Sequence, residues 1–416
     1  MLVGLENPNE PDAFLSLHEL GRLVETAGAE VIGQLIQKRE QPDRGYYLGR
    51  GKVRELQEKI NDLEANLVIC NDELTPTQLR NLENFLACRI LDRTSVILDI
   101  FAQQARTREG KLQVELAQLR YLLPRLTGKG VALSRLGGGI GTRGPGETKL
   151  ETDRRHIRRR IRYLEKEMET VRQRRRLRRE RQELIGLPVV ALVGYTNAGK
   201  STLLNCLTQA GALAEDRLFS TLDTLSRIVK LPDGRSVLIS DTVGFIQKLP
   251  HHLVAAFRAT LEEVQESELI LHVLDLSNPE VEKQKEAVEQ VLKEIGADAN
   301  PILLVYNKID QINEEQRAWL TLGETRPNVM ISAREGIGIT ALLEAITRHL
   351  PRPGTEMELL IPITETRLLS LLHENGQVFK EDYQEDHVTV TAWVEPQIWK
   401  QLEPYVIKGT LIPESR

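Results

Sequence analysis

One short segment constrains this chain more than any other. GYTNAGKST (194–202) follows the apolar run PVVALV and precedes STLLNCLTQ. A strand-like run, a glycine turn and a helix-like run in that order form a phosphate cradle. Glycines at 194 and 199 let successive backbone N–H groups wrap an anion, and the N-terminus of the following helix favours negative charge. The expected phosphate contacts are Gly194, Tyr195, Thr196, Asn197, Ala198, Gly199, Lys200, Ser201 and Thr202. Lys200 is expected to reach the β- and γ-phosphates, and the Ser201 hydroxyl to bind Mg²⁺.

The surroundings agree. From 187 to 350, apolar runs (PVVALVG, SVLISD, LILHVLDL, PILLVYN, NVMIS) alternate with helical stretches, the pattern of a doubly wound, mostly parallel α/β sheet. NKID (Asn307, Lys308, Ile309, Asp310) ends one such run, where the base of a bound nucleotide would lie. The Asp310 carboxylate can accept from guanine N1–H and the exocyclic amine, whereas adenine would face it with a lone pair. SAREG follows the next run, and Ser332, Ala333 and Arg334 complete a base site, with the Ala333 N–H expected to donate to guanine O6.

DTVG (Asp241, Thr242, Val243, Gly244) suits the third phosphate: Asp241 acting on the metal through water, and the Gly244 N–H meeting the γ-phosphate. Between Ser201 and Asp241 lies LFSTLDT, contributing Phe219, Ser220, Thr221, Leu222 and Asp223. Thr221, rather than Thr224, is taken as the threonine completing the Mg²⁺ shell. Lys200, Thr221 and Gly244 form the expected catalytic set. Phe245 follows DTVG where many such enzymes carry a water-orienting Gln, so slow intrinsic turnover is expected. Asn197 is a candidate ligand for a K⁺ ion that would act as an arginine finger does.

The flanks carry a different signal. Arg154 to Arg181 holds 13 Arg and one Lys against four Glu, inside a chain of net charge −5. Arg makes bidentate phosphate contacts, so a polyanionic partner is expected. Ile157, Ile161, Leu164, Met168 and Val171 are spaced 4-3-4-3, and Leu112, Leu116, Leu119 and Leu123 repeat that rhythm upstream. Two antiparallel helices are expected over 108–186, joined by the glycine-rich tip 133–149. Residues 1–107 read as a small α/β domain, with EVIGQLIQ, NLVICND and RTSVILDIF as strands. Residues 187–350 form the nucleotide domain, and 354–416 a small α+β domain. The three cysteines are far apart, arguing against a zinc ribbon or disulfide scaffold. With no membrane-length apolar stretch, a monomer in the cytoplasm without integral membrane contact is expected.

The chain resembles the HflX-type GTPases, of the translation-factor-related class. The resemblance rests on YYLGRGKVREL (46–56), LGGGIGTRGPGETKLETDRR (136–155), GYTNAGKSTLLN, LFSTLDT, DTVGFI, NKID and SAREG, and spans nearly the whole length. It implies GTP and GDP as ligands, Mg²⁺ as cofactor, and Thr221 as the switch threonine. It also implies that the GTP form binds the large ribosomal subunit, that the N-terminal domain and hairpin reach the peptidyl-transferase region of its RNA, and that stalled or idle ribosomes are split under stress. Arg143, Lys149, Arg154, Arg155, Arg158 and Arg159 would be the RNA contacts.

Gly139-x-Gly141-x-x-Gly144 also matches a dinucleotide-binding pattern, but no strand precedes it and Pro145 follows. The competing readings that stand are a ribosome-assembly or RNA-modification GTPase, and a GTP-gated RNA-binding adaptor.

Overall fold

The structure, a computed structural model, describes residues 1–7, 12–126, 149–185, 187–208, 219, 225–246, 263–313, 325–350, 355–384, 386–394 and 396–408. The first sheet has the order β2-β1-β3-β4, from β1 (Leu2–Glu6), β2 (Gln34–Lys38), β3 (Leu67–Cys70) and β4 (Arg89–Asp92). All its pairings are parallel. The crossovers are α1 (Ala13–Thr26), α2 (Arg50–Asp62) and α3 (Pro76–Leu86). β1 was not among the expected strands.

RTSVILDIF is not a strand: α4 runs Arg93–Gln104. β4 ends at Asp92, whose carboxylate accepts from the Ser95 N–H at 2.9 Å and the Ser95 hydroxyl at 2.8 Å, capping a helix there. Val96, Ile97, Leu98, Ile100 and Phe101 are all buried. A helix covered on nearly every side loses its amphipathic period, and its apolar run then looks like a strand.

α5 (Arg108–Arg125) and α6 (Lys149–Ile185) are the two arms of the expected hairpin. Leu116 packs against Leu164 and Met168, flanked by Leu112, Leu119 and Ile161. α5 continues one residue past Pro124, which sits in its last turn. Acidic partners, scarce within α6, come partly from across the seam: Arg160 binds Glu115 with two nitrogens at 2.6 and 2.8 Å. Arg108–Glu167 and Arg120–Glu165 each close at 2.7 Å, in the opposite sense. The glycine-rich tip, including Arg143, lies outside the described residues except for Lys149.

The central sheet has the order β10-β9-β8-β5-β7-β6: β5 (Val189–Gly194), β6 (Leu225–Lys230), β7 (Ser236–Asp241), β8 (Leu269–Asp275), β9 (Ile302–Asn307) and β10 (Asn328–Met330). Only the β6–β7 pairing is antiparallel. β6, a mostly exposed edge strand, was not anticipated, because its face carries no buried apolar alternation. α7 (Lys200–Thr208), α8 (Val281–Glu294) and α9 (Ile339–His349) accompany the sheet. One buried cluster runs from Leu17, Leu20, Ile97 and Phe101 of the first domain to Val193, Tyr195, Phe219 and Phe245 of the nucleotide domain. The two domains therefore share a core.

The last sheet, β12-β13-β11-β14, is antiparallel: β11 (Thr355–Pro362), β12 (Gly376–Tyr383), β13 (His387–Val394) and β14 (Val406–Lys408). Met357, Leu359, Ile361, Val388, Val390 and Ala392 form its core with residues of α10 (Thr366–Asn375) and α11 (Pro396–Leu402). Among the described residues, no helix is long and apolar enough to cross a membrane.

His272 lies fully buried in β8, neither ring nitrogen hydrogen-bonded among the described residues. Burial, then Arg326, Lys285 and Lys200, pull its pKa from 6.5 down to about 3. Below pH 6.5 the unfolded chain therefore takes up a proton that the folded one refuses. This single residue should cost stability at roughly 1–1.5 kcal/mol per pH unit as pH falls toward 3. Urea melts at pH 7, 6 and 5 should show a shallower loss for His272→Leu than for wild type.

Candidate functional site

β5 ends at Gly194, and the chain turns through 195–199 into α7. Asn197 takes the left-handed conformation, φ 63°. Gly199 sits at φ 95°, and a Cβ there would lie 2.2 Å from the Asn307 amide nitrogen. Only glycine fits, because that amide donates to the Ala198 carbonyl at 2.8 Å. Asn307 thus ties the end of β9 to the phosphate loop.

Lys200 is buried, its ammonium donating to the carbonyls of Gly194 at 3.0 Å and Tyr195 at 2.9 Å. Burial pulls its pKa from 10.5 down to about 8, with Asp241 opposing. A buried cation held at this cost is one that a phosphate would stabilise. The Ser201 hydroxyl donates to Asp241 Oδ2 at 2.7 Å, so the two expected Mg²⁺ residues share one spot. A hydroxyl beside a carboxylate offers the hard oxygen donors that a cation of this kind takes. Among the described residues no cluster of three or more His, Cys, Asp or Glu offers an all-protein metal site.

After Asp241 the chain passes close under the loop. Thr242 turns inward, its hydroxyl donating to the Leu192 carbonyl at 2.7 Å, and Val243 is buried. Gly244 runs against the loop: a Cβ there would be 2.8 Å from Thr196 Cγ2 and 3.1 Å from Lys200 Nζ. Phe245 is zipped to the loop, its N–H donating to the Gly194 carbonyl at 3.1 Å and its carbonyl accepting from the Thr196 N–H at 2.8 Å. Its ring is buried in the shared core. Of the LFSTLDT set, Phe219 is buried at φ 58°. Ser220, Thr221, Leu222 and Asp223 lie outside the described residues.

The residues expected to hold the base lie on two loops, after β9 and after β10. Lys308 takes φ 64° and pairs with Asp275 at 2.7 Å, a partner the sequence did not signal. Asp310 is exposed, in a single turn of 3-10 helix (Ile309–Gln311) whose Ile309 is buried. Ser332 is buried and accepts from the Glu335 N–H at 3.2 Å. The Ala333 N–H, expected to donate to guanine O6, donates instead to Asn307 Oδ1 at 3.0 Å. Ala333 therefore locks Asn307 in place, and Arg334 is exposed beside it. Two further residues were missed. Glu19 of α1 accepts from the Tyr195 phenol, and Phe101 of α4 packs its ring on Phe219. No local pattern marks residues more than 100 positions away in sequence as neighbours of a phosphate loop.

A strand, a glycine turn and a helix on a mostly parallel sheet, with NKID ending β9 and SAREG following β10, define the P-loop GTPase fold. Three family models match in series: "GTP-binding GTPase N-terminal" over 15–102, "GTP-binding GTPase Middle Region" over 104–182 and "50S ribosome-binding GTPase" over 189–308. A GTPase HflX of Caldanaerobacter subterraneus subsp. tengcongensis is 51% identical over 96% of this chain and 92% of its own length. The GTPase HflX of Escherichia coli K12 is 44% identical over 94% and 93%. Among solved structures, a GTP-binding protein from Sulfolobus solfataricus in complex with GDP covers 84% of this chain and 97% of its own, at 25% identity and TM-score 0.42. The chain belongs to the HflX GTPase family. It is a GTP-binding protein that hydrolyses GTP.

Proposed function

We propose that this GTPase, in its GTP form, binds the large ribosomal subunit and splits stalled or idle ribosomes, acting in the cytoplasm as a monomer off the ribosome. The observation that carries this reading is the near full-length match to relatives of one family, including the "50S ribosome-binding GTPase" model over the nucleotide domain. The 37-residue α6 supports it, because Arg155, Arg158 and Arg159 are exposed on it and Arg154 is half-buried. Those arginines, with Lys149 and Arg143, are our candidates for the ribosomal RNA contacts.

In this reading residues 194–202 wrap the phosphates and Lys200 reaches the β- and γ-phosphates. Ser201 and Thr221 hold Mg²⁺ directly, Asp241 holds it through water, and Gly244 meets the γ-phosphate. Mg²⁺ supplies neutralisation of the charge that builds on the phosphate oxygens. Phe219–Asp223 and Asp241–Gly244 act as the two switches. Asn307 to Asp310 and Ser332 to Arg334 form the guanine site, Ala333 by fixing the Asn307 side chain. Asn197, on its left-handed backbone, is the candidate K⁺ ligand. A buried Phe245 cannot orient water, so intrinsic turnover is slow and the ribosome stimulates it.

Arg155→Gln, Arg158→Gln and Arg159→Gln together should weaken binding of purified large subunits. The slope of log affinity against log salt should flatten by about 2–3. An unchanged slope would make the hairpin a structural element only.

A further inference from the structure

Tyr195 belongs to both domains. It is the second residue of the phosphate loop, and its side chain is buried among residues of α1 and α4. Its phenol donates to one carboxylate oxygen of Glu19, and the other oxygen takes the Arg93 guanidinium at the start of α4. Arg93, only 2% exposed, also donates to Asn71 Oδ1 at 3.0 Å, and Asn71 donates to the Ser16 hydroxyl at 2.8 Å. Glu19 is thus the last member of a polar chain rooted in the first domain's core. The backbone carbonyl of Tyr195 accepts from Lys200 at 2.9 Å. Its phenol is therefore held by one domain while its carbonyl orients the lysine of the other.

α4 makes a second contact. Phe101 meets Phe219 edge-on, centroids 4.7 Å apart at 80°. Phe219, at φ 58° and 2% exposed, holds a conformation that a phenylalanine keeps only where its surroundings fix it. Phe219 stands two residues before Thr221.

We propose that Glu19 is a positioning residue for GTP hydrolysis, acting through Tyr195 on the carbonyl that orients Lys200. The Phe101–Phe219 contact belongs to the same docked arrangement of α1 and α4. A small loss of lysine orientation weakens the transition state more than the ground state, because the developing charge is the more demanding target. This rests on Lys200 being the phosphate lysine, and the variants separate the two ideas.

The test uses the full chain and reads kcat, GTP affinity and thermal melting. Tyr195→Phe keeps the ring and removes only the hydroxyl. It should lower kcat at least threefold with GTP affinity changed less than twofold, at temperatures well below a melting point lowered by a few degrees at most. Glu19→Gln, which keeps the size but drops the charge, should lower kcat similarly. The double variant should fall no further than either single one, since both break one chain. Hydrogen exchange gives a second readout: binding of a non-hydrolysable GTP analogue should slow the amides of α1 in wild type and not in Tyr195→Phe. Wild-type kcat in Tyr195→Phe, or losses that multiply in the double variant, would overturn the proposal. Intact GTP binding in Lys200→Ala would overturn the phosphate assignment beneath it.

Discussion

Lys200→Ala should lower GTP affinity roughly 10²–10³-fold, because a buried charge-assisted contact to phosphate is worth about 3–4 kcal/mol. The ammonium is held ready by the carbonyls of Gly194 and Tyr195, so its place needs no rearrangement when phosphate arrives. Removing it also leaves those two carbonyls without that donor, a stability cost of about 1–3 kcal/mol visible in a melt. Nucleotide titration followed by fluorescence, with circular dichroism as control, checks both. The wild-type protein adds a linked expectation. Free Lys200 titrates at about 8, and bound phosphate raises that value. GTP binding should therefore take up protons above pH 8, and affinity should decline as pH rises past it. Lys200→Ala should lose this dependence. A folded variant with unchanged affinity would remove Lys200 from the phosphate site.

Asp310→Asn should invert the base preference, moving the GTP-to-XTP ratio by about 100-fold or more. A carboxylate accepts two N–H donors from guanine, whereas an amide presents a donor that matches the xanthine carbonyl. Asp310 is exposed on a turn fixed by the burial of Ile309. The substitution therefore changes recognition and leaves the scaffold alone. Competition of GTP and XTP for the variant measures the ratio directly. Retained GTP selectivity would place guanine recognition elsewhere.

The phosphate loop was legible because its chemistry is local: glycines, lysine and serine at fixed spacing between a strand and a helix. Asn307 was legible in residue type and in position, at the end of a strand-like run. Ala333 was legible as a neighbour of the base loop, but its N–H is spent on Asn307 rather than pointing outward. A sequence motif names the loop and not which donor the fold consumes. RTSVILDIF misled because a helix buried on nearly all sides carries no period. The edge strand β6 escaped for the opposite reason, being too exposed to alternate. Glu19 and Phe101 were not legible at all. They reach Tyr195 and Phe219 across 176 and 118 positions of sequence, through a shared core that exists only after both domains fold.

The measurement that tests ribosome action most directly is GTP turnover by the full chain with and without purified large ribosomal subunits, with ATP as the control nucleotide. Slow GTP turnover that the subunit stimulates by an order of magnitude or more, with none for ATP, is the predicted result. Tight GTP binding with turnover indifferent to the subunit would contradict it, and would favour an assembly factor or a GTP-gated RNA adaptor instead.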